Sequence, residues 1–312
     1  MIRRLNIILG PACNRHCPYC CQAAPADWVK HVPADFEALR RKLRDLSLAG
    51  EFRKLDRVAF WGGEPMLYWG TVKRLYGMLC DEGIYPEGIY RVATNGDLVD
   101  DDYVSFANSI PNWFTTVSWH DGSISEEQWG ILEQLESCNI THVVNHRWAE
   151  ELPAMHEKYE ALGLGFPVQL WPVHEVGRCD PSEALTLEDA AGAVAWMRKT
   201  AAGYDLFSRK LREGVIQHAR KAGRKYSDCV DRTILTVDLA GREFACQHNP
   251  TDATRSSDAI YALAARMKKD CAYCPAWDHC GGGCVLSSNR AAECFFHRKY
   301  VQLGKELNET AT

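Results

Sequence analysis

Six times before residue 203, a short run rich in β-branched and aromatic residues precedes a longer helical stretch. The strand runs are Leu5–Leu9, Arg57–Phe60, Tyr90–Ala93, Phe114–Trp119, His142–His146 and Phe166–Val173, with helical stretches near 34–49, 66–82, 100–109, 124–137, 149–162 and 186–201. This alternation leaves few folds open. Successive strands joined through a helix pair in parallel, because parallel pairing needs a long crossover. Six units are too few to close the common eight-stranded barrel, so the expected fold is α/β, an open partial (β/α)6 barrel. In such folds ligands sit at the C-terminal ends of the strands. Thr186, followed by Glu188 and Asp189, marks the start of the sixth helix.

After Gly203 the pattern changes. Residues 204–227 are basic and read as a solvated helical connector, Cys229 to Cys294 is loop-rich with seven cysteines, and 290–308 is helical again. Two units are expected, 1–203 and 204–312. The 36 basic and 41 acidic residues give a net charge of −5 with no long basic run, which argues against nucleic acid as a partner. No run of eighteen apolar residues exists to span a membrane. The opening stretch MIRRLNIILGPACN has too short an apolar run for a signal-peptide core. Fourteen cysteines in a chain that is 46% hydrophobic do not fit a disulfide framework, the device of small secreted domains short of core. A reducing cytoplasm is expected, where many thiols suggest metal ligands, zinc or iron–sulfur.

Directly after the first strand comes Cys13-Asn-Arg-His-Cys17-Pro-Tyr-Cys20. Structural zinc takes four ligands, whereas this loop offers three in cadence, with Cys21 pointing elsewhere beside Cys20. A [4Fe–4S] cluster held by three cysteines leaves one iron open to a non-protein ligand. Trp61-Gly62-Gly63-Glu64-Pro65 follows strand two. Its glycines let the backbone approach a ligand closely, and Glu64 can accept from an ammonium. Thr94-Asn95-Gly96 ends strand three and Ser118 ends strand four. In the C-terminal part, Cys229 is followed by eleven residues, Gly241, four residues and Cys246. Then come Cys271-x2-Cys274-x5-Cys280-x3-Cys284 and a final Cys294. Paired CxxC knuckles also bind zinc, so spacing alone leaves both metals open.

The first motif resembles the CxxxCxφC signature of the radical S-adenosylmethionine (radical SAM) superfamily, with Tyr19 at the aromatic position. The GGEP and TNG segments are similar to those of the same family. The seven later cysteines resemble the SPASM extension of these enzymes. The resemblance implies that Cys13, Cys17 and Cys20 hold a [4Fe–4S] cluster whose open iron takes the amino and carboxylate groups of S-adenosylmethionine. Glu64, with Gly62 and Gly63, would meet the methionyl ammonium. Thr94 and Asn95 of the TNG segment would bind the cofactor, Ser118 would contact the ribose, and Asn145 and the Pro172–Val173 backbone would lie around the ribose and adenine.

By the same resemblance, Cys271, Cys274, Cys280 and Cys294 hold a distal auxiliary cluster, and Cys229, Cys246 and Cys284 a proximal one. Three clusters are thus implied, and the proximal one is a thiolate short. Asp228, Asp231, His248 or Cys179 would fill that place, or it stays open to substrate. Gly281, Gly282 and Gly283 would let the backbone fold tightly about inorganic sulfide. Gln247 stands where sulfatase-maturing relatives carry a catalytic aspartate, which argues against formylglycine formation. Asp121, His120, His174 and Glu175 are expected to face the cavity as a base or substrate contacts. Cys21, Cys80, Cys138 and Cys179 are left as free thiols. Trp61, Trp119 and Trp171 are expected to line a pocket.

The implied activity is reductive cleavage of S-adenosylmethionine to a 5′-deoxyadenosyl radical, which abstracts a hydrogen atom from a substrate. A ribosomally synthesised peptide undergoing crosslinking, oxidation or epimerisation is the first expectation. A small molecule such as a sugar or cofactor precursor is the alternative. A pure electron carrier would have no use for an open iron. A flavodoxin or ferredoxin would supply electrons. The first strand begins too early for an N-terminal leader-recognition domain, so leader recognition would need a separate protein or an exposed sheet edge, or there is no leader at all.

Overall fold

The computed structural model describes residues 1–22, 33–119, 124–220, 233–244, 246, 262, 264–266, 269, 271, 273–274, 276, 287 and 289–309. Among them the elements run β1 Arg4–Ile8, α1 Phe36–Leu48, β2 Arg57–Trp61, α2 Trp69–Asp81, β3 Ile89–Thr94, α3 Asp101–Ser109, β4 Trp113–Ser118 and α4 Glu126–Leu132. There follow β5 Cys138–Val144, α5 Trp148–Leu162, β6 Val168–Pro172, α6 Leu187–Ala201, α7 Leu206–Arg220, β7 Ile234–Asp238, β8 Glu243–Phe244 and α8 Arg290–Glu309. The strands form one open sheet in the order β6-β5-β4-β3-β2-β1-β7-β8, parallel except for the β7–β8 pair. The expected α/β architecture of six parallel units is therefore present.

Local signals start the helices where the sequence provides caps. Asp35, Asp100 and Ser125 accept from the amides of Ala38, Tyr103 and Gln128 at the N-termini of α1, α3 and α4. Thr186 and Asp189 form a reciprocal capping box at α6. Strand five starts earlier than expected, at Cys138, because Cys138 and Asn139 pair in register with Thr115 and Thr116. That pairing makes the chain turn before residue 138, so α4 stops at Leu132.

The sheet has two unlike faces, as a period of two allows. Leu5, Ile7, Val58, Phe60, Tyr90, Val92, Val117, Ile140, Val168 and Leu170 are buried with Leu39, Leu43, Val72 and Leu75 of α1 and α2 in one core. Several of the alternate positions are polar. Asn6, Thr116, Asn139, Gln169 and Thr236 are buried there. A parallel sheet covered on both faces would ordinarily carry apolar side chains at these positions.

Beyond residue 203 the chain returns to this sheet. β7 pairs in parallel with β1, Arg4 opposite Ile234 through Ile8 opposite Asp238. α7 is not a solvated connector, because Phe207, Leu211, Val215 and Ala219 form a buried stripe along it. Spacing of three to four residues places them on one helix face, and each buried large apolar side chain contributes about 2 kcal/mol. Gly214 sets the approach of α7 to β6, since a Cβ there would lie 1.9 Å from the Val168 carbonyl oxygen. Gly304 does the same between α8 and α7, with a virtual Cβ 2.7 Å from the Val215 oxygen. No helix among the described residues is long and apolar enough to cross a membrane.

Candidate active site

The C-terminal ends of β1, β2 and β3 are bound into one unit by their loops. Leu9 donates to the Trp61 carbonyl at 2.7 Å, Gly63 to Gly10 at 2.9 Å and Glu64 to Ala12 at 2.8 Å. The amide of Ala12 donates to the Tyr68 hydroxyl at 2.9 Å. The glycines serve this closure. A Cβ on Gly62 would lie 2.6 Å from the Gly10 oxygen, and one on Gly63 only 2.0 Å from the Ala12 oxygen. Only hydrogen fits where two loops stack backbone to backbone. The sequence suggested close approach to a ligand, whereas the observed close approach is to the loop that carries the cysteines.

Glu64 is 2% exposed and accepts three hydrogen bonds. The donors are the Met66 amide at 3.0 Å, the Thr94 hydroxyl at 2.7 Å and the Asn95 amide at 2.8 Å. Burial pushes its carboxyl above the usual carboxylate range, and those three donors oppose the rise. The network continues outward. Asn95 Nδ2 donates to Asn14 at 2.7 Å, Asn14 to Asp97 at 3.1 Å, and Arg15 Nε to Asp97 at 2.7 Å. Glu64, Thr94 and Asn95 thus hold the cysteine loop from the side of β3.

Cys13, Cys17 and Cys20 are partly buried and lie within electrostatic reach of one another. Burial pushes the Cys13 and Cys17 thiols up, opposed at Cys13 by the Arg15 amide and at Cys17 by a hydrogen bond with Tyr19. The Arg15 amide lies 3.4 Å from Cys13 Sγ, and Arg178 Nη2 donates to Cys20 Sγ at 3.2 Å. Three gathered thiols with N–H donors aimed at sulfur suit a metal cluster, whose positive core favours the thiolate form. Cys179 differs. Burial and the neighbouring Glu175, Glu183 and Asp180 push its thiol up to about 11.

The other strand ends are less uniform. Ser118 is partly exposed at the end of β4. Asn145 is fully buried, with its amide donating to Glu183 at 2.8 Å and its oxygen accepting from the Arg147 amide at 2.9 Å. Val173 is buried and donates its amide to Val144 at 2.9 Å. Trp61 and Trp171 are partly exposed. Trp119 is not a wall, because it is 1% exposed and packs edge-on against Trp129 at 5.1 Å. His174 contacts Glu293 of α8 at 3.0 Å, and Glu175 is partly exposed. His120 and Asp121 lie outside the described residues.

Of the later cysteines, Cys246, Cys271, Cys274 and Cys294 are partly buried. Cys274 donates its amide to the Cys271 carbonyl at 2.9 Å, and the Cys294 thiol on α8 lies in the field of Cys274. Cys271 and Cys274 thus share one turn, and the Cys274 and Cys294 thiols lie within electrostatic reach of each other. Cys229, Cys280 and Cys284 lie outside the described residues, as do Asp228, Asp231, Gln247, His248 and the glycines 281–283.

Two residues went unnoticed in the sequence. Arg91 sits on the polar face of β3 and donates to Thr116 at 3.2 Å. No carboxylate pairs with it among the described residues, and burial pulls its pKa down. The signal was available, since Arg91 falls between apolar Tyr90 and Val92 in a period-two strand. Arg178 lies in the loop after β6, distant in sequence from the thiol it meets, and no local pattern marks it.

Residues 7–116 match the sequence model of the Radical SAM superfamily. In three dimensions the chain is similar to anSMEcpe with bound AdoMet, at a TM-score of 0.65 and 16% identity over 98% of this chain and 100% of that one. It is similar to anSMEcpe with bound AdoMet and Cp18Cys peptide, at a TM-score of 0.64 and 16% identity over 98% and 99%. It also resembles SuiB of Streptococcus suis bound to precursor peptide SuiA, at 0.58 and 14% identity over 91% and 72%. At such identities the likeness is one of fold. No curated protein sequence matches the chain.

Proposed function

We propose that the chain, whose residues 7–116 match the Radical SAM superfamily model, is a SPASM-type radical SAM enzyme acting on a peptide. The observation that carries this reading is the gathering of Cys13, Cys17 and Cys20 beside the Glu64–Thr94–Asn95 network. Those three thiols would hold a [4Fe–4S] cluster, with S-adenosylmethionine bound over the ends of β1 to β4. The chemistry this pair supplies is hydrogen-atom abstraction by a 5′-deoxyadenosyl radical.

The chain's own residues perform the rest. Gly62 and Gly63 close the loops of β1 and β2 on each other, and Asn95 with Asn14 fixes the cysteine loop laterally. Glu64 holds the end of β3 through the Thr94 hydroxyl and the Asn95 amide, and Ser118 offers a polar contact at the end of β4. Arg91, a guanidinium on the polar face without a carboxylate partner among the described residues, suits a substrate that brings an anionic group, such as an acidic side chain. His120 and Asp121 remain the proposed base or substrate contacts.

Residues 204–312 would complete the enzyme with two auxiliary clusters. Cys271, Cys274, Cys280 and Cys294 would hold one, and Cys229, Cys246 and Cys284 the other. Support for a peptide substrate comes from anSMEcpe and SuiB, each of which has a structure with a bound peptide. A flavodoxin- or ferredoxin-like protein would deliver the electron in the cytoplasm, with a separate protein presenting any leader segment.

Anaerobic reconstitution with S-adenosylmethionine and dithionite tests the class. It should yield 5′-deoxyadenosine and roughly twelve irons per chain. Cys17→Ala should abolish cleavage, and Cys280→Ala should remove iron and product formation while sparing some cleavage. No 5′-deoxyadenosine from the loaded wild type would overturn the reading.

A further inference from the structure

The loop after β6 crosses the cysteine loop as a strap, and three backbone features fasten it there. Arg178 donates its amide to the Gln22 carbonyl at 2.8 Å, and Asp180 donates to the Pro18 carbonyl at 2.8 Å. Between β6 and these bonds Gly177 adopts φ +66°, and a Cβ on it would lie 2.4 Å from the Cys21 oxygen and 2.5 Å from the Gln22 oxygen. A left-handed backbone pressed against two carbonyls admits only glycine without strain. The strap is therefore placed by main-chain geometry, and its side chains follow.

Arg178 is the side chain that placement delivers. Its Nη2 donates to Cys20 Sγ at 3.2 Å, and its charge also acts on the Cys13 thiol. Its Nε–H is buried without a hydrogen-bond partner, and no carboxylate pairs with the guanidinium among the described residues. A partly buried cation with one donor on a thiol and a buried donor unused is costly unless it faces an anionic acceptor. A cluster held by three thiolates is such an acceptor. It is net anionic, and more so after taking up an electron.

We propose that Arg178 is a positioning residue for the cluster on Cys13, Cys17 and Cys20, raising its reduction potential by donating to Cys20 sulfur and by its uncompensated charge. This rests on the cluster assignment proposed above. Hydrogen bonds to cluster sulfurs and nearby positive charge both favour the reduced state. The effect would let a physiological electron donor reduce the cluster more readily. Gly177 contributes indirectly, by holding the strap against the cysteine loop.

The test is a potentiometric titration of the reconstituted full-length protein without S-adenosylmethionine, followed by electron paramagnetic resonance. The relevant signal is the one lost in Cys17→Ala. Arg178→Gln should lower the midpoint of that signal at unchanged iron content. Arg178→Lys, with charge but no fork, should lower it less, and Gly177→Ala should shift it in the same direction as Arg178→Gln. A midpoint equal to wild type in Arg178→Gln would overturn the proposal. Should Arg178→Gln fail to load iron, Arg178→Lys carries the comparison, and an unchanged midpoint there overturns it equally. A wild-type chain with no signal sensitive to Cys17→Ala would instead overturn the cluster assignment, so the two failures are distinct.

Discussion

Thr94 donates its hydroxyl to Glu64 at 2.7 Å, tying the end of β3 to the carboxylate that follows β2. The bond lies in a buried setting, with Glu64 2% and Thr94 1% exposed. Removing the carboxylate strands three donors at once, the Thr94 hydroxyl and the amides of Met66 and Asn95. Glu64→Ala should therefore destabilise the chain by about 3 kcal/mol, and Thr94→Val by about 1 kcal/mol. Urea denaturation of both variants checks the order. Equal midpoints for wild type and Glu64→Ala would contradict the network.

Gly63→Ala should impair iron loading although residue 63 bears no ligand. The added methyl would sit 2.0 Å from the Ala12 carbonyl oxygen, one residue before Cys13. The loops must part, and the three thiols would lose their common placement. Gly77→Ala is the control, because a Cβ there meets nothing within 4 Å. In helix α2 that change should instead add up to about 1 kcal/mol of stability. Iron content after reconstitution separates the two variants, and equal loading would sink the argument.

The six strand–helix units and the N-terminal cysteine loop were legible because each is a local pattern. Periodicity marks the former and a three-thiol cadence the latter. Features that depend on distant partners were not. β7 joins β1 across more than two hundred residues of chain, and nothing between them signals the pairing. The reason for Gly63 lies in the Ala12 carbonyl, and that for Gly214 in the Val168 carbonyl. A basic helix such as α7 reads as solvated until the neighbours of its Phe207–Leu211–Val215 stripe are known.

Arg91→Met should raise thermal stability. The guanidinium has one hydrogen bond, to Thr116, and no carboxylate pairs with it among the described residues. Replacing a poorly compensated, partly buried charge with an apolar side chain of similar length is commonly stabilising, here by about 1 kcal/mol. A gain of this kind is typical where function has kept an unfavourable group. The thermal midpoint measures it. A loss of several degrees would mean that Arg91 is compensated and is no substrate contact.

His297 should make the fold sensitive to mild acid. It lies on the inner side of α8, 5% exposed, with its ring 6.0 Å from Trp171 of β6. The titratable groups facing it are His174 after β6, His218 of α7 and Glu293 on its own helix, which pairs with His174 at 3.0 Å. Burial, with His174 and His218 adding to it, pulls the His297 pKa down to about 3. In the unfolded chain the ring titrates near its ordinary value of about 6.5. Between those values the unfolded state binds the proton and the folded state does not. The stability from the neutral ring is thus complete above about pH 6.5 and declines as pH falls toward 3, by about 1.4 kcal/mol per pH unit for this one group. His297→Phe keeps the aromatic packing and removes the titration. It should be less stable or equal near pH 7, yet flatter between pH 6 and 4 when stability is followed by urea denaturation. Parallel curves for the two proteins across that window would show that the ring is protonated without cost and that α8 is not anchored by a neutral histidine.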